Sequence, residues 1–122
     1  MNIEQLRDYC LSKKAATEGF PFDKDTLVFK VLGKMFALVP LDRWEKGEAS
    51  ITLKCDPDYT LELREKHESI YPGPYVSNKH WNTVSIYTGE LQQKFIIHLI
   101  DHSYDMVVKG MTKKMRDELH NL

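Results

Sequence analysis

The 122-residue sequence lacks every short motif that would assign a chemistry by itself. It contains no GxSxG, no P-loop and no GxGxxG, so neither a nucleophile elbow nor a phosphate-binding loop is indicated. No apolar run approaches the roughly 20 residues that a membrane span needs, and the N-terminus shows no basic segment followed by an apolar stretch. We therefore expect a cytoplasmic protein that makes no membrane contact, has no catalytic residues and is not an enzyme.

Cysteine is scarce and neither charge dominates. Cys10 and Cys55 are the only cysteines, and neither belongs to a CxxC pair, so we expect two buried thiols rather than a metal site or a disulfide. Seventeen Lys and Arg residues against eighteen Asp and Glu residues give a net charge of −1. Strong non-specific nucleic-acid binders usually carry a basic excess, because phosphate contacts supply most of the affinity. Any contact with DNA must therefore come from a local patch.

The remaining composition, 42% hydrophobic and 29% charged, is typical of one globular domain spanning residues 1–122. Capping residues and apolar periodicity predict helices at residues 3–13, 57–67 and 91–108, and a short helix in the tail. The predicted caps are Asn2 with Gln5, Asp56 before Pro57, and Gly110 as a C-terminal stop. The residues of these helices expected to face inward include Leu61, Leu63, Met115 and Leu119.

Alternating apolar residues predict strands between these helices. After a loop at 18–25, the segment 26–41 reads as a hairpin with Gly33-Lys34 in a type II′ turn. That register pairs Val31 with Phe36 and places four residues on the core face: Phe29, Val31, Phe36 and Leu38. Further strands are expected at 50–55, where Ile51, Leu53 and Cys55 point inward, and from Trp81 to Tyr87, with Val84 and Ile86 inward. The sum is an α+β domain with an antiparallel sheet and helices packed on one face.

The outward-facing strand positions form a candidate functional surface. If the apolar residues face the helices, then Lys30, Lys54, Trp81 and Tyr87 project from the opposite face of the sheet, and Lys34 lies at the hairpin tip. Asn78, Lys79 and His80 lie beside the last strand. Lysines among aromatic side chains can contact phosphates and stack on bases. The alternative is that Trp81 and Tyr87 pack against the C-terminal segment and that the lysines form a solvated face.

A pair of histidines offers a weaker candidate. His98 and His102 are separated by one helical turn, which would let them share a metal ion, but the segment HLIDH departs from the zinc motifs HExxH and HxxEH, and no third ligand lies nearby. Both border the apolar stripe of their helix, so we expect packed histidines and no metal or other cofactor.

Five short segments in this order and spacing resemble the MmcQ/YjbR family: KMFAL (34–38), LKCDP (53–57), LR (63–64), HWNTV (80–84) and SYDMV (103–107). ATE and PF within residues 16–22 fit the N-terminal part of the family. The resemblance spans nearly the whole chain. One departure is that Asn78-Lys79 directly precedes His80-Trp81, so either Asn78 or Lys79 takes the place of the family lysine.

The resemblance implies a small bacterial α+β protein with a two-layer, frataxin-like fold. The family is usually described as DNA-binding through a double-wing arrangement of strands and loops, which would use Lys30, Lys34, Lys54, Asn78, Lys79, His80 and Trp81. Frataxin-like iron binding would need an acidic ridge on the first helix, where only Glu4 and Asp8 stand among basic residues. The alternative function is a protein-interaction or small-ligand module that uses the same face, which the near-neutral charge favours.

Overall fold

Six strands form one antiparallel sheet in the computed structural model, which describes all of residues 1–122. In sheet order the strands are β1 (Ala16–Gly19), β2 (Thr26–Val31), β3 (Lys34–Pro40), β4 (Ser50–Lys54), β6 (Trp81–Ser85) and β5 (Ile70–Pro72). Every neighbouring pair is antiparallel. The predicted α+β class with an antiparallel sheet is therefore confirmed.

Five helices accompany the sheet: α1 (Ile3–Leu11), α2 (Leu41–Glu45), α3 (Pro57–Lys66), α4 (Gln93–Lys109) and α5 (Lys113–His120). The predicted caps are confirmed, since Asn2 and Gln5 form a capping box on α1 and the Asp56 carboxylate accepts from the first N–H groups of α3. Gly110 also caps α4, in a right-handed conformation. No helix is both long and apolar enough to cross a bilayer.

The core lies between one face of the sheet and the helices. Phe36 is fully buried and meets Tyr104 of α4 edge-to-face, with ring centroids 5.4 Å apart. The hydroxyl of Ser103 donates to the Phe36 carbonyl oxygen at 2.6 Å and accepts from the Lys54 amide at 2.8 Å, which ties α4 to β3 and β4. The opposite side of the sheet, which we call the outer face, carries no long helix.

The structure corrects the predicted hairpin. The turn residues are Leu32 and Gly33, not Gly33 and Lys34, and both have positive φ (47° and 80°), as a type I′ turn requires. Lys34 instead begins β3 opposite Val31, and a bulge after Phe29 shifts the register. Phe29, Val31 and Phe36 are buried as predicted. Because the bulge lets Phe36 and its neighbour Ala37 both be buried, Leu38 faces outward rather than into the core.

Two further expectations were wrong, and one strand was not predicted. The predicted loop 18–25 begins with the last two residues of the edge strand β1, and only 20–25 is irregular. The strand β5 was not predicted, because Pro72 reads as a turn; proline is tolerated there because β5 is an edge strand. Leu61 is 67% exposed, since α3 turns Thr60 and Leu63 toward the sheet instead.

Candidate functional site on the outer face of the sheet

The middle of the outer face is covered by the loop 73–80, which connects β5 to β6. Thr52 and Thr83 face each other across β4 and β6 with hydroxyl oxygens 3.1 Å apart, and both are buried. Gly73 lies directly on them: a Cβ at this position would come within 2.9 Å of Thr52 Cγ2 and 3.0 Å of Val76 Cγ2. The glycine therefore lets the loop approach the sheet closely enough to fix its position.

The hairpin end of the outer face gathers most of the predicted site residues. Lys54 and Trp81 are direct partners across β4 and β6, and Lys30 lies two strands away on β2, about 10 Å at the usual strand spacing. Lys79 precedes β6 at the same end of the sheet. Lys34 begins β3 at this end too, but as the partner of the core residue Val31 it lies toward the other face, where it is exposed. We call Lys30, Lys34, Lys54 and Lys79 the basic end. None of them makes an ion pair.

The segment Asn78-Lys79-His80 is held in place through backbone atoms, and this leaves its side chains free to make contacts. The His80 carbonyl oxygen accepts from the Cys55 amide at 2.8 Å, and the Trp81 amide donates to the Ser77 carbonyl oxygen at 3.0 Å. Asn78 and Lys79 are exposed, whereas His80 and Trp81 are half-buried.

The exposure of Tyr87 and of the lysines bears on the alternative interpretation of this surface. Tyr87 is 57% exposed and lines an open groove on this face, rather than packing beneath the C-terminal segment. The C-terminal helix α5 lies on the other side of the sheet, where Leu119 joins the core. Lys34 and Lys79 are exposed to solvent, which agrees both with a binding surface and with the alternative of a solvated face.

Arg64 and Asn82 support this surface, and the sequence analysis assigned neither a role. Arg64 on α3 donates through Nε to Asn82 Oδ1 at 2.8 Å and through Nη2 to the carbonyl oxygens of Asn78 and Trp81. Asn82 is buried and donates in turn to the Thr60 hydroxyl at 3.2 Å. The available signal was the spacing of Thr60 and Arg64, which places both on one helix face four residues apart.

The two histidines lie on α4, on the helix side of the sheet. His102 Nε2 accepts from the Asp56 amide at 3.1 Å, and His98 Nε2 is 3.2 Å from the Tyr59 hydroxyl. The Tyr59 ring stands edge-on to both imidazoles. Burial, together with the neighbouring His98, lowers the pKa of His102, so His102 stays neutral as an acceptor. Each of the two Nε2 atoms thus already has a partner within the protein.

The two cysteines are free and buried, as predicted. Burial raises the pKa of the Cys10 thiol to about 12 and also raises that of Cys55. Since the thiolate is the nucleophilic form, neither side chain is suited to covalent catalysis at neutral pH.

A second feature of the outer face is the groove beside the loop 73–80, with a volume of about 670 Å³. We call it the outer-face groove. Its floor is formed by outward-facing residues of β3, β4 and β6, and the side chains around it include Phe22, Tyr71, Tyr75 and Tyr87. Tyr71 is anchored by a hydrogen bond between its hydroxyl and that of Ser85, at 3.1 Å. The groove is continuous with the basic end, because Met35, the partner of Lys30, also lines it.

Comparison with known proteins places these features in a family. A family model described as YjbR matches residues 11–106. The chain is 29% identical over 122 residues to the uncharacterized protein YjbR of Escherichia coli K12, and the alignment covers all of both chains. It is 36% identical over 96 residues to the uncharacterized protein YbdF of Escherichia coli O157:H7, which covers 78% of this chain and 75% of that one.

Solved structures share the fold. The crystal structure of Deinococcus radiodurans protein DR2400, with a domain designated DUF419, superposes with a TM-score of 0.86 at 38% identity and covers 98% of this chain and 88% of that one. The crystal structure of a Pseudomonas syringae protein gives a TM-score of 0.71 at 30% identity, over 88% of this chain and 99% of that one.

Proposed function

This chain belongs to the YjbR family, and we propose that it is a cytoplasmic, non-enzymatic DNA-binding protein that contacts phosphates through the basic end. The observation that carries the proposal is the gathering of Lys30, Lys54 and Lys79 at one end of the outer face, with Lys34 at the same end of the sheet and none of the four in an ion pair. Cations that no carboxylate neutralises are free to replace the counterions of DNA. This local patch answers the objection raised by the net charge of −1.

The shape of this end suits a double-stranded ligand. The β2–β3 turn carries Lys34 and the loop 73–80 carries Lys79, and both lie at the same end of the sheet. We interpret these two segments as the two wings that the resemblance implies. Lys54 lies between them on β4, and Lys30 lies two strands away on β2. The separation of about 10 Å is comparable with the width of the major groove, which is about 12 Å. Phosphate contacts at both wings would fix the orientation of the duplex.

Trp81, His80 and Asn78 would then supply stacking and hydrogen-bond contacts in addition to the charge contacts of the lysines. Trp81 is half-buried beside Lys54, so its exposed part can pack on a sugar or a base. The backbone around these three residues is already fixed by Arg64, which lowers the entropy lost when a ligand orders them. Arg64 acts here as a positioning residue.

Salt dependence gives this proposal a magnitude. Four phosphate contacts predict a slope of about −3.6 in log K against log salt concentration, which is roughly a 150-fold loss of affinity between 50 and 200 mM salt. Removing three of the four lysines should reduce the slope to about −0.9 and weaken binding at low salt.

The test is fluorescence anisotropy with a labelled duplex at several salt concentrations. The variant Lys30→Ala/Lys54→Ala/Lys79→Ala is compared with Lys109→Ala/Lys113→Ala/Lys114→Ala, a matched control that removes the same charge from exposed positions on α4 and α5. We expect the first variant to lose both affinity and salt slope while the control stays close to the wild-type protein. Equal losses in both variants would show a purely non-specific effect of charge, and no loss in the first would refute the proposal.

A small-ligand or protein-interaction module remains the second candidate function. The specific observation that favours it is the outer-face groove, whose lining differs in charge from the basic end.

A further inference from the structure

The exposed aromatic residues of this protein are concentrated at the outer-face groove. Seven large hydrophobic side chains are exposed on the whole chain, and four of them line the groove: Phe22, Tyr71, Tyr75 and Tyr87. Single exposed hydrophobic residues need no explanation, but a cluster around one concavity marks a binding site. The volume of about 670 Å³ falls within the range of roughly 300–1,000 Å³ that small-molecule sites occupy.

The charged residues of the groove are mostly acidic. Asp23, Asp42 and Glu48 line it together with Arg43, and no lysine does, so the lining carries a formal charge of −2. Arg43 is engaged by Glu48 at 3.6 Å, which neutralises the only cation. The Asp42 carboxylate makes neither an ion pair nor a hydrogen bond within the protein, although its residue is partly buried. A negatively charged ligand such as a phosphate is therefore poorly matched to this groove.

The backbone around Tyr75 indicates that its placement is imposed. Tyr75 has φ of 63°, in the left-handed region that residues with a side chain seldom adopt, and its side chain is fully exposed. Gly73, two residues before Tyr75, packs against Thr52 and thereby fixes the position of this strained turn. Strain of this kind persists where the surrounding structure enforces it, and it is concentrated at ligand-binding segments.

We infer that the outer-face groove binds a small organic cation, a ligand with an apolar or aromatic body and a positively charged nitrogen. The tyrosine rings would contact the body and attract the cation through their faces, while Asp42 and Asp23 supply the opposite charge. Cationic ligands suit this groove for the same reason that phosphates suit the basic end. This inference is independent of DNA binding, and each can fail without the other.

The test uses two probes of the same shape and opposite charge, 2-naphthylmethylamine and 2-naphthoate, titrated into the full-length protein and followed by amide chemical shifts. We expect the amine to bind at least tenfold more tightly than the acid, with shifts confined to residues 22–26, 35–43, 48–52 and 71–87. Tyr87→Ala should weaken binding of the amine at least fivefold. Equal affinities, tighter binding of the acid, or shifts elsewhere would overturn the inference.

Charge variants separate electrostatic recognition from simple hydrophobic contact. Asp42→Asn/Glu48→Gln should reduce the preference for the amine to less than threefold, because it removes two negative charges from the groove and frees Arg43. The matched control is Asp58→Asn/Glu65→Gln, which removes the same charge from exposed positions on α3 and should keep the preference. A preference that survives in the groove variant contradicts the inference.

Discussion

Replacing Gly73 with alanine tests how the loop 73–80 is seated on the sheet. The new Cβ would lie 2.9 Å from Thr52 Cγ2, closer than real Cβ contacts come, and 3.0 Å from Val76 Cγ2, closer than most, so something must move. Overpacking of this kind costs about 1–3 kcal/mol. With about 2.1 cal/mol/K of unfolding entropy per residue, a chain of 122 residues converts each 1 kcal/mol into about 4 °C, so we expect Tm to fall by about 4–12 °C.

The matched control for this prediction is Gly19→Ala. Gly19 also lies in the sheet and has no positive φ, but a Cβ there would meet nothing within 4 Å, so its replacement should leave Tm unchanged or slightly raised. Thermal unfolding followed by circular dichroism measures both variants. If the loop of Gly73→Ala lifts away instead of straining the sheet, amide hydrogen exchange of residues 73–81 should accelerate. A Gly73→Ala protein with the Tm of the control and unchanged exchange would refute the packing described here.

Two further changes probe the support of the site and its response to pH. Arg64→Gln removes the donors that reach the carbonyl oxygens of Asn78 and Trp81. We therefore expect faster amide hydrogen exchange in residues 77–81, with a smaller change in Tm than in Gly73→Ala. Unchanged exchange in that segment would contradict this role. Because burial lowers the pKa of His102 in the folded protein, the unfolded state binds the proton more readily, and the free energy of unfolding should decrease as pH falls from the unfolded pKa near 6.5 through the lower folded pKa. His102→Gln, measured by urea unfolding between pH 7 and 5, should flatten this dependence, and an unaltered slope would show that other groups cause it.

The sequence predicted the elements whose causes are local. The Asn2–Gln5 capping box and the Asp56-Pro57 start are determined within four residues, and both helices begin where expected. Strict alternation likewise identified the buried face of β4, with Ile51 and Leu53 pointing inward.

The errors arose where tertiary contacts decide the outcome. Leu32-Gly33 replaced Gly33-Lys34 as the turn because a bulge after Phe29 changes the register, and no residue pattern within the hairpin reveals that bulge. Leu61 was expected inward on hydrophobicity, but Thr60 takes the inner position because Asn82 offers it a hydrogen bond from a strand more than twenty residues away.

The candidate surface divides in the same way. Alternation placed Lys30, Lys54 and Trp81 on one face, and the strand register brings them to one end of it. The acidic groove beside them could not be predicted, because its walls come from segments far apart in the sequence, with Phe22 from one loop and Tyr75 from another. Arg64 was missed because its role depends on backbone carbonyl groups, which carry no signature in the sequence.

The central claim, that the basic end is a DNA-binding surface, is tested most directly by titrating a short unlabelled duplex into ¹⁵N-labelled protein at 50 mM salt. The largest amide shifts should occur at Lys30, Lys34, Lys54 and Lys79, together with the indole N–H of Trp81, and they should disappear as salt is raised. Shifts concentrated on α4 and α5, or an unchanged spectrum at low salt, would contradict the claim.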